Sequence, residues 1–200
     1  MVRMFAIAFL FMLPVGFAQA APQKYVLDKP HTQVVFTVDH LGFAKSIGKF
    51  TDYQGSIQFD QAEPAKSSVE VTIQTASIDL NDQKWNDHMK SADFFNVEKF
   101  PAMTFKSTGI EVTGDKTANI TGDLTILGVT KPVVLATVFN KAGKHPFMDR
   151  QEAGFSATTN IKRSDFGMGY GLPMVGDDVA ITLEVEAYVE DPTAQGTGNR

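Results

Sequence analysis

Val179-Ala-Ile-Thr-Leu-Glu-Val-Glu-Ala-Tyr-Val189 sets Val179, Ile181, Leu183, Val185, Ala187 and Val189 on one side of an extended chain. Thr182, Glu184, Glu186 and Tyr188 fall on the other. Side chains alternate between the two faces of a strand, so this pattern predicts a long β-strand with one buried face. The same alternation recurs upstream. Val34, Phe36, Val38 and His40 share a face, as do Ile57 and Phe59, and Val69, Val71 and Ile73. Met103 with Phe105, then Ile110 with Val112, and Ile120, Leu124 and Ile126 repeat it. So do 133–139 and Phe155, Ala157, Thr159 and Ile161.

About eight or nine strands follow, separated by turn chemistry at Glu63-Pro64, Thr113-Gly114-Asp115, 128–132 and 140–143. No strand–helix–strand rhythm is present, which argues against a parallel α/β fold. Long strands in a meander predict an all-β, antiparallel, eight-stranded up-and-down barrel. Such a barrel is wide enough inside to be filled by side chains or to hold one small ligand. One stretch departs from the pattern. In Asn81–Ala92, NDQKWNDHMKSA, the residues Trp85, His88, Met89 and Ala92 share a helical face. Asn81 is the expected N-cap of this short helix. Asp93-Phe94-Phe95 then sets two adjacent aromatics in an expected turn.

The 200 residues read as three parts. Arg3, the apolar run Phe5–Phe17 and Ala18-Gln19-Ala20 form a secretory signal peptide over 1–20, with cleavage expected after Ala20. Residues 21–190 form one domain, and the polar, Gly-rich 191–200 is expected to be a flexible tail. The expected location is the periplasm. A net charge of −5 and pI near 5.3 argue against nucleic acid as a partner. They also argue against strong attachment to anionic membranes, leaving at most transient contact of the barrel mouth with a bilayer. A homodimer is left open. The chain has no cysteine, which removes thiol catalysis, Cys-based zinc sites and iron–sulfur clusters.

The catalytic search returns little. Gly154-Phe-Ser-Ala-Thr158 lacks the closing glycine of a nucleophile elbow. HExxH and phosphate-loop motifs are absent, and Gly167, Gly169 and Gly171 follow no strand-to-helix turn. His31, His40, His88 and His145 are too scattered in sequence to define a metal site, although strands can assemble one in space. The aromatics say more. Of 16 phenylalanines, Phe5, Phe9, Phe11 and Phe17 belong to the leader, and Phe36, Phe59, Phe105, Phe139 and Phe155 sit on apolar strand faces. An ordinary packed core gives this pattern; so does an apolar cavity lined by aromatics.

Three stretches carry a resemblance. They are SIDLNDQKWNDHMKSADFFNVEKFPAMTFKST (Ser77–Thr108), TGDLTILGVTKPVVL (Thr121–Leu135) and GFSATTNIKRSDFGMGYGLPMVGDDVAITLEVEA (Gly154–Ala187). Together with YVLDKPHTQVVFTVDHLGFAKSIGKF (Tyr25–Phe50), they resemble the YceI-like family of exported lipid-binding proteins over nearly all of the domain. The resemblance implies a lipocalin-like barrel with one short helix near its mouth. It implies a bound polyisoprenoid or similar long-chain amphiphile, such as an isoprenoid quinone, fatty acid or fatty amide, and no other cofactor. The family often has Arg-Asp-x-His where this chain has Trp85-Asn86-Asp87-His88. Loss of the arginine favours a neutral head over pyrophosphate.

The expected site follows from alternation and resemblance together. Phe36, Val38, Val71, Phe105, Leu124, Phe155 and Leu183 line the cavity; Trp85, Met89, Phe94 and Phe95 close or border the mouth; His40 and His88 meet the polar head. No catalytic residue and no metal ligand is expected, and the reading is a binding or carrier protein. The alternative is an enzyme acting on a lipid or quinone, with a metal held by histidines; a filled barrel without ligand is the third.

Overall fold

The computed structural model describes residues 22–190. The segments expected to be a leader, 1–20, and a tail, 191–200, lie outside the described residues. Eleven strand segments follow in chain order: β1 (Gln23–Leu27), β2 (Gln33–His40), β3 (Ala44–Phe50), β4 (Tyr53–Phe59), β5 (Ser68–Gln74), β6 (Ile78–Asp79), β7 (Ala102–Gly114), β8 (Thr117–Ile126), β9 (Val129–Lys144), β10 (Gln151–Lys162) and β11 (Val175–Tyr188). The helix α1 (Gln83–Lys90) stands between β6 and β7. Among the described residues no helix is long and apolar enough to cross a membrane.

These segments make a closed antiparallel barrel of eight staves. β1 and β2 lie end to end along β11, which pairs with β1 at Val26↔Tyr188 and with β2 at Ile181↔Phe36. β3 and β4 form the next stave, pairing with β2 and β1. β5 and β6 form the third, against β4 and β3. β7, β8, β9 and β10 complete the circuit back to β11. Closure removes the open edges that a flat sheet would expose.

Three adjacent staves break at one level. The first break is the 3₁₀ turn Lys29–His31, where Pro30 offers no N–H to a ladder. The second is Thr51-Asp52, and the third the 3₁₀ turn Thr75–Ser77. Side chains restore the lost pairing. The Tyr53 hydroxyl donates to the carbonyls of Thr32 and Lys29, the Thr51 hydroxyl to the Ser77 carbonyl at 3.1 Å, and the Thr32 hydroxyl to Glu186 at 3.0 Å. Burial pushes the Tyr53 phenol above its ordinary pKa, so it remains a donor.

The expected alternation holds over most of the barrel and changes phase at bulges, of which the one in β7 falls within the cavity-lining stretch. A bulge between Ser107 and Gly109 shifts β7 by one residue, so Met103 and Phe105 face inward before it and Ile110 and Val112 after it. The helix starts later than its sequence pattern suggests. Asp82, not Asn81, is the N-cap, its carboxylate accepting the Trp85 N–H at 3.0 Å. Asn81 instead takes a left-handed backbone, its N–H turned to Asp79 at 2.8 Å. Packing is concentrated in two clusters. One holds Phe50, Ile78, Phe94, Phe95, Met103 and Phe166 beneath the helix; the other holds Tyr25, Phe59, Ala153 and Ala187 near the opposite end.

Candidate ligand-binding site

The barrel is not filled. A cavity of about 650 Å³ runs along the axis between and past the two packed clusters. All thirteen side chains expected at the site border it. Phe36, Val38, Val71, Phe105, Leu124, Phe155 and Leu183 reach it from six staves, and Trp85, Met89, His88 and His40 reach it at one end. Phe94 and Phe95 also touch it, but each is only 8% exposed and belongs to the packed cluster under the helix. Phe95 meets Phe50 edge-on at 5.5 Å. Gly48 shapes the wall: a Cβ there would stand 2.3 Å from the Phe36 ring, so glycine lets that ring lie across the neighbouring strand.

The mouth lies where strand direction places α1, the 41–43 turn and the 163–174 loop together. His40 packs on Trp85 with ring centroids 5.7 Å apart. His88 bonds Asp93 at 3.0 Å and packs edge-on against Phe94 (5.0 Å) and Tyr170 (5.3 Å). Asn86 stands beside the position of the missing arginine. Its amide oxygen accepts the Leu80 N–H at 2.8 Å, latching the helix to β6.

Sequence reasoning missed the 163–174 loop, read only as glycine-rich. Its anchor is Arg163, 5% exposed. That guanidinium donates to the carbonyls of Gly176, Met168, Tyr170 and Val175 at 2.8–3.0 Å. Burial pushes its pKa down, opposed by the nearby Asp177 carboxylate. Phe166 and Met168 are buried beneath it, and Tyr170 stands at the mouth. The available signal was the alternation Phe166-Gly-Met168-Gly-Tyr170, apolar side chains spaced by glycine.

The histidines do not converge. His40 and His88 lie at the mouth. His31 and His145 belong to a polar network at the other end, with Asp28, Arg150 and Glu152. Among the described residues, one group of three donors comes within metal-binding reach: Asp28, His31 and Glu186, within 4.8 Å of one another. It lies off the cavity wall, and the Arg150 guanidinium is 2.6 Å from the Asp28 carboxylate, a place any cation would contest.

An antiparallel barrel that closes on a largely apolar cavity, with His40 and His88 at the helix end and a few polar groups such as Gln61, Asp115 and Lys116 at the other, defines the class of small-ligand-binding barrels. Residues 25–187 match the YceI-like domain, and the chain belongs to the YceI-like family. A UPF0312 protein of Azotobacter vinelandii is 43% identical over 173 residues, covering 86% of this chain and 90% of that one. The Campylobacter jejuni YceI protein has the same fold, with a TM-score of 0.69 and 35% identity, over 82% of this chain and 97% of that one. A polyisoprenoid binding domain from Saccharophagus degradans superposes with a TM-score of 0.66 over 83% of this chain and 98% of that one; at 12% identity the likeness is one of fold.

Proposed function

We propose that this chain binds and carries a single long-chain amphiphile of the isoprenoid type in the periplasm. The cavity carries the reading. Its volume falls within the roughly 300–1,000 Å³ typical of small-molecule sites, and its wall is predominantly aliphatic and aromatic. Each methylene buried there contributes about 0.8 kcal/mol before losses of freedom, so chain length alone supplies affinity. The tail runs down the axis past Phe36, Val71, Phe105 and Leu124, and the polar head stays at the mouth beside His40 and His88. The lining is predominantly apolar, which suits holding a chain, and we read the protein as a carrier and not an enzyme. The domain name of the Saccharophagus degradans neighbour agrees with this ligand class, and the leader pattern at 1–20 agrees with export.

The head is a neutral one. Asn86 is committed to the helix latch, and Arg163 is committed to four carbonyls, so neither takes the place of the missing arginine toward a pyrophosphate. The test is uptake in solution by delipidated protein. Isoprenoid quinone and long-chain fatty amide should each saturate at one molecule per chain, and polyprenyl pyrophosphate should bind more weakly. Gly48→Ala, which must displace the Phe36 ring, should lower uptake of the longest chains. Failure of every long-chain probe to bind would refute the proposal.

A further inference from the structure

Among the described residues eleven large apolar side chains are exposed: Val112, Val134 and Val138 lie singly on β7 and β9, Phe147 and Met148 lie in the loop between β9 and β10, and the other six gather at one end. Leu41, Phe43, Ile47, Trp85, Tyr170 and Met174 are 42–90% exposed, and all six lie at the mouth end. They come from separate segments held together by short contacts. The Leu41 N–H donates to the Met174 carbonyl at 3.0 Å, and the Phe43 N–H to the His40 carbonyl at 3.1 Å. His40 packs on Trp85, and His88, on the same helix, packs on Tyr170. Trp85 and Tyr170 also border the cavity, so the outer patch and the inner wall form one apolar surface.

The turn itself is built to project. Leu41 has φ 59° and Gly42 φ 72°, and the Gly42 N–H is tied to the Asp39 carboxylate at 2.9 Å. A leucine adopts a left-handed backbone only at a steric cost, and asparagine or glycine is the usual choice there. Here that conformation holds Leu41, and Phe43 at 90% exposure, in water. Single exposed apolar residues need no explanation, but a cluster around an opening marks a binding surface.

We propose that this rim is a bilayer-docking surface, which inserts Leu41, Phe43 and Met174 among lipid acyl chains and presents the cavity mouth to the membrane. The inference rests on the carrier reading, because it supplies the apolar path by which a water-insoluble cargo enters and leaves. Tryptophan and tyrosine at the edge of the patch are the side chains that favour the level of the lipid headgroups. Lys45 and Lys84 flank it without an ion-pair partner among the described residues, free to reach the phosphates. A second copy seated on the same rim would seal the mouth that the cargo must pass, so a bilayer is the occupant that fits.

Trp85 is the sole tryptophan of the chain and stands on this rim. The experiment mixes full-length mature protein with phosphatidylcholine vesicles whose acyl chains carry bromine, then pellets the vesicles. Docking predicts that protein pellets with the vesicles and that Trp85 fluorescence is quenched in the pellet. Phe43→Ser and Met174→Ser together should lower the pelleted fraction by roughly tenfold or more, as expected for removing two large apolar anchors. Neither side chain borders the cavity, so uptake of cargo from detergent solution should be unchanged. Phe147→Ser, at the far end and 91% exposed in the wild type, should change neither. Wild-type protein that stays in the supernatant overturns docking, and quenching found only there reports lipid taken in as cargo. A loss of pelleting caused by Phe147→Ser and not by the Phe43 pair also overturns it. So does a dimer in solution that covers Phe43. Uptake from detergent reads the carrier function separately, so the failure of one reading is distinguishable from the failure of the other.

Discussion

Arg163 is a cation withdrawn from water and set against backbone carbonyls in place of a carboxylate. Its four bonds to Gly176, Met168, Tyr170 and Val175 organise a loop that has little regular structure of its own. Removing the guanidinium would leave these carbonyls without their donor, that of Met168 buried and the other three partly buried, at about 1–3 kcal/mol for each left unsatisfied. Arg163→Met should therefore lower the unfolding free energy by roughly 3 kcal/mol or more and release Tyr170 from the mouth. Denaturant titration measures the first effect, and loss of the Tyr170–His88 ring contact by NMR the second. At this scale the sequence was legible where a side chain obeyed the period of two. Phe36, Val71 and Leu183 sit on the cavity wall because alternation has no freedom once a strand is half buried. Arg163 follows no such period, and Tyr170 ends the Phe166-Gly-Met168-Gly-Tyr170 alternation in a loop, not a strand, so the places of both depend on the loop's path.

At the scale of elements, a polar network at the end opposite the mouth ties the β9–β10 connection to the end of β1. Asp28 accepts from Arg150 at 2.6 Å and contacts His31 at 3.1 Å. Arg150 also bonds Glu152 and lies 4.2 Å over the Tyr188 ring. Burial alone would raise the Asp28 pKa, but the hydrogen bonds from His31 and Arg150 outweigh it and hold the carboxyl below its ordinary range. The bond to Asp28 raises the His31 pKa in turn. A raised histidine stabilises the fold below its unfolded pKa, roughly 6.5, and loses that contribution as pH rises through the folded value. A lowered aspartate contributes above roughly pH 4 and loses its part as pH falls through the folded value. The His31–Asp28 contact is therefore strongest between roughly pH 4 and 6.5. Asp28→Asn should return the His31 NMR titration to the ordinary imidazole range; an unchanged titration would contradict the link.

The helix and β3 show what the element level hid. Its helical face and first turn were readable in Asn81–Ala92, but the cap moved to Asp82 because Asn81 satisfies its own N–H on Asp79. β3 escaped notice because its inward positions, Ser46 and Gly48, are not apolar, so the strand shows no hydrophobic alternation. Gly48 is there for the Phe36 ring, a cross-strand reason invisible in a local window.

At the scale of the molecule, closure explains how the barrel encloses a cavity without packing side chains across its whole interior. The hydrogen-bonded circuit from β1 to β11 satisfies the backbone without side chains meeting at the centre, and two packed clusters secure the ends. The sequence pointed to this barrel and to inward aromatics, but alternation alone did not separate a filled core from a cavity. That distinction lies in the sum of side-chain volumes against the barrel's width, a property of the whole circuit. The central claim is that the cavity holds one long-chain amphiphile. Native mass spectrometry of the protein, gently isolated from the cells that make it, tests this most directly. The account predicts a chain carrying the mass of one such molecule, released by organic solvent; protein found only at its bare mass, and remaining so after exposure to long-chain isoprenoids, would contradict it.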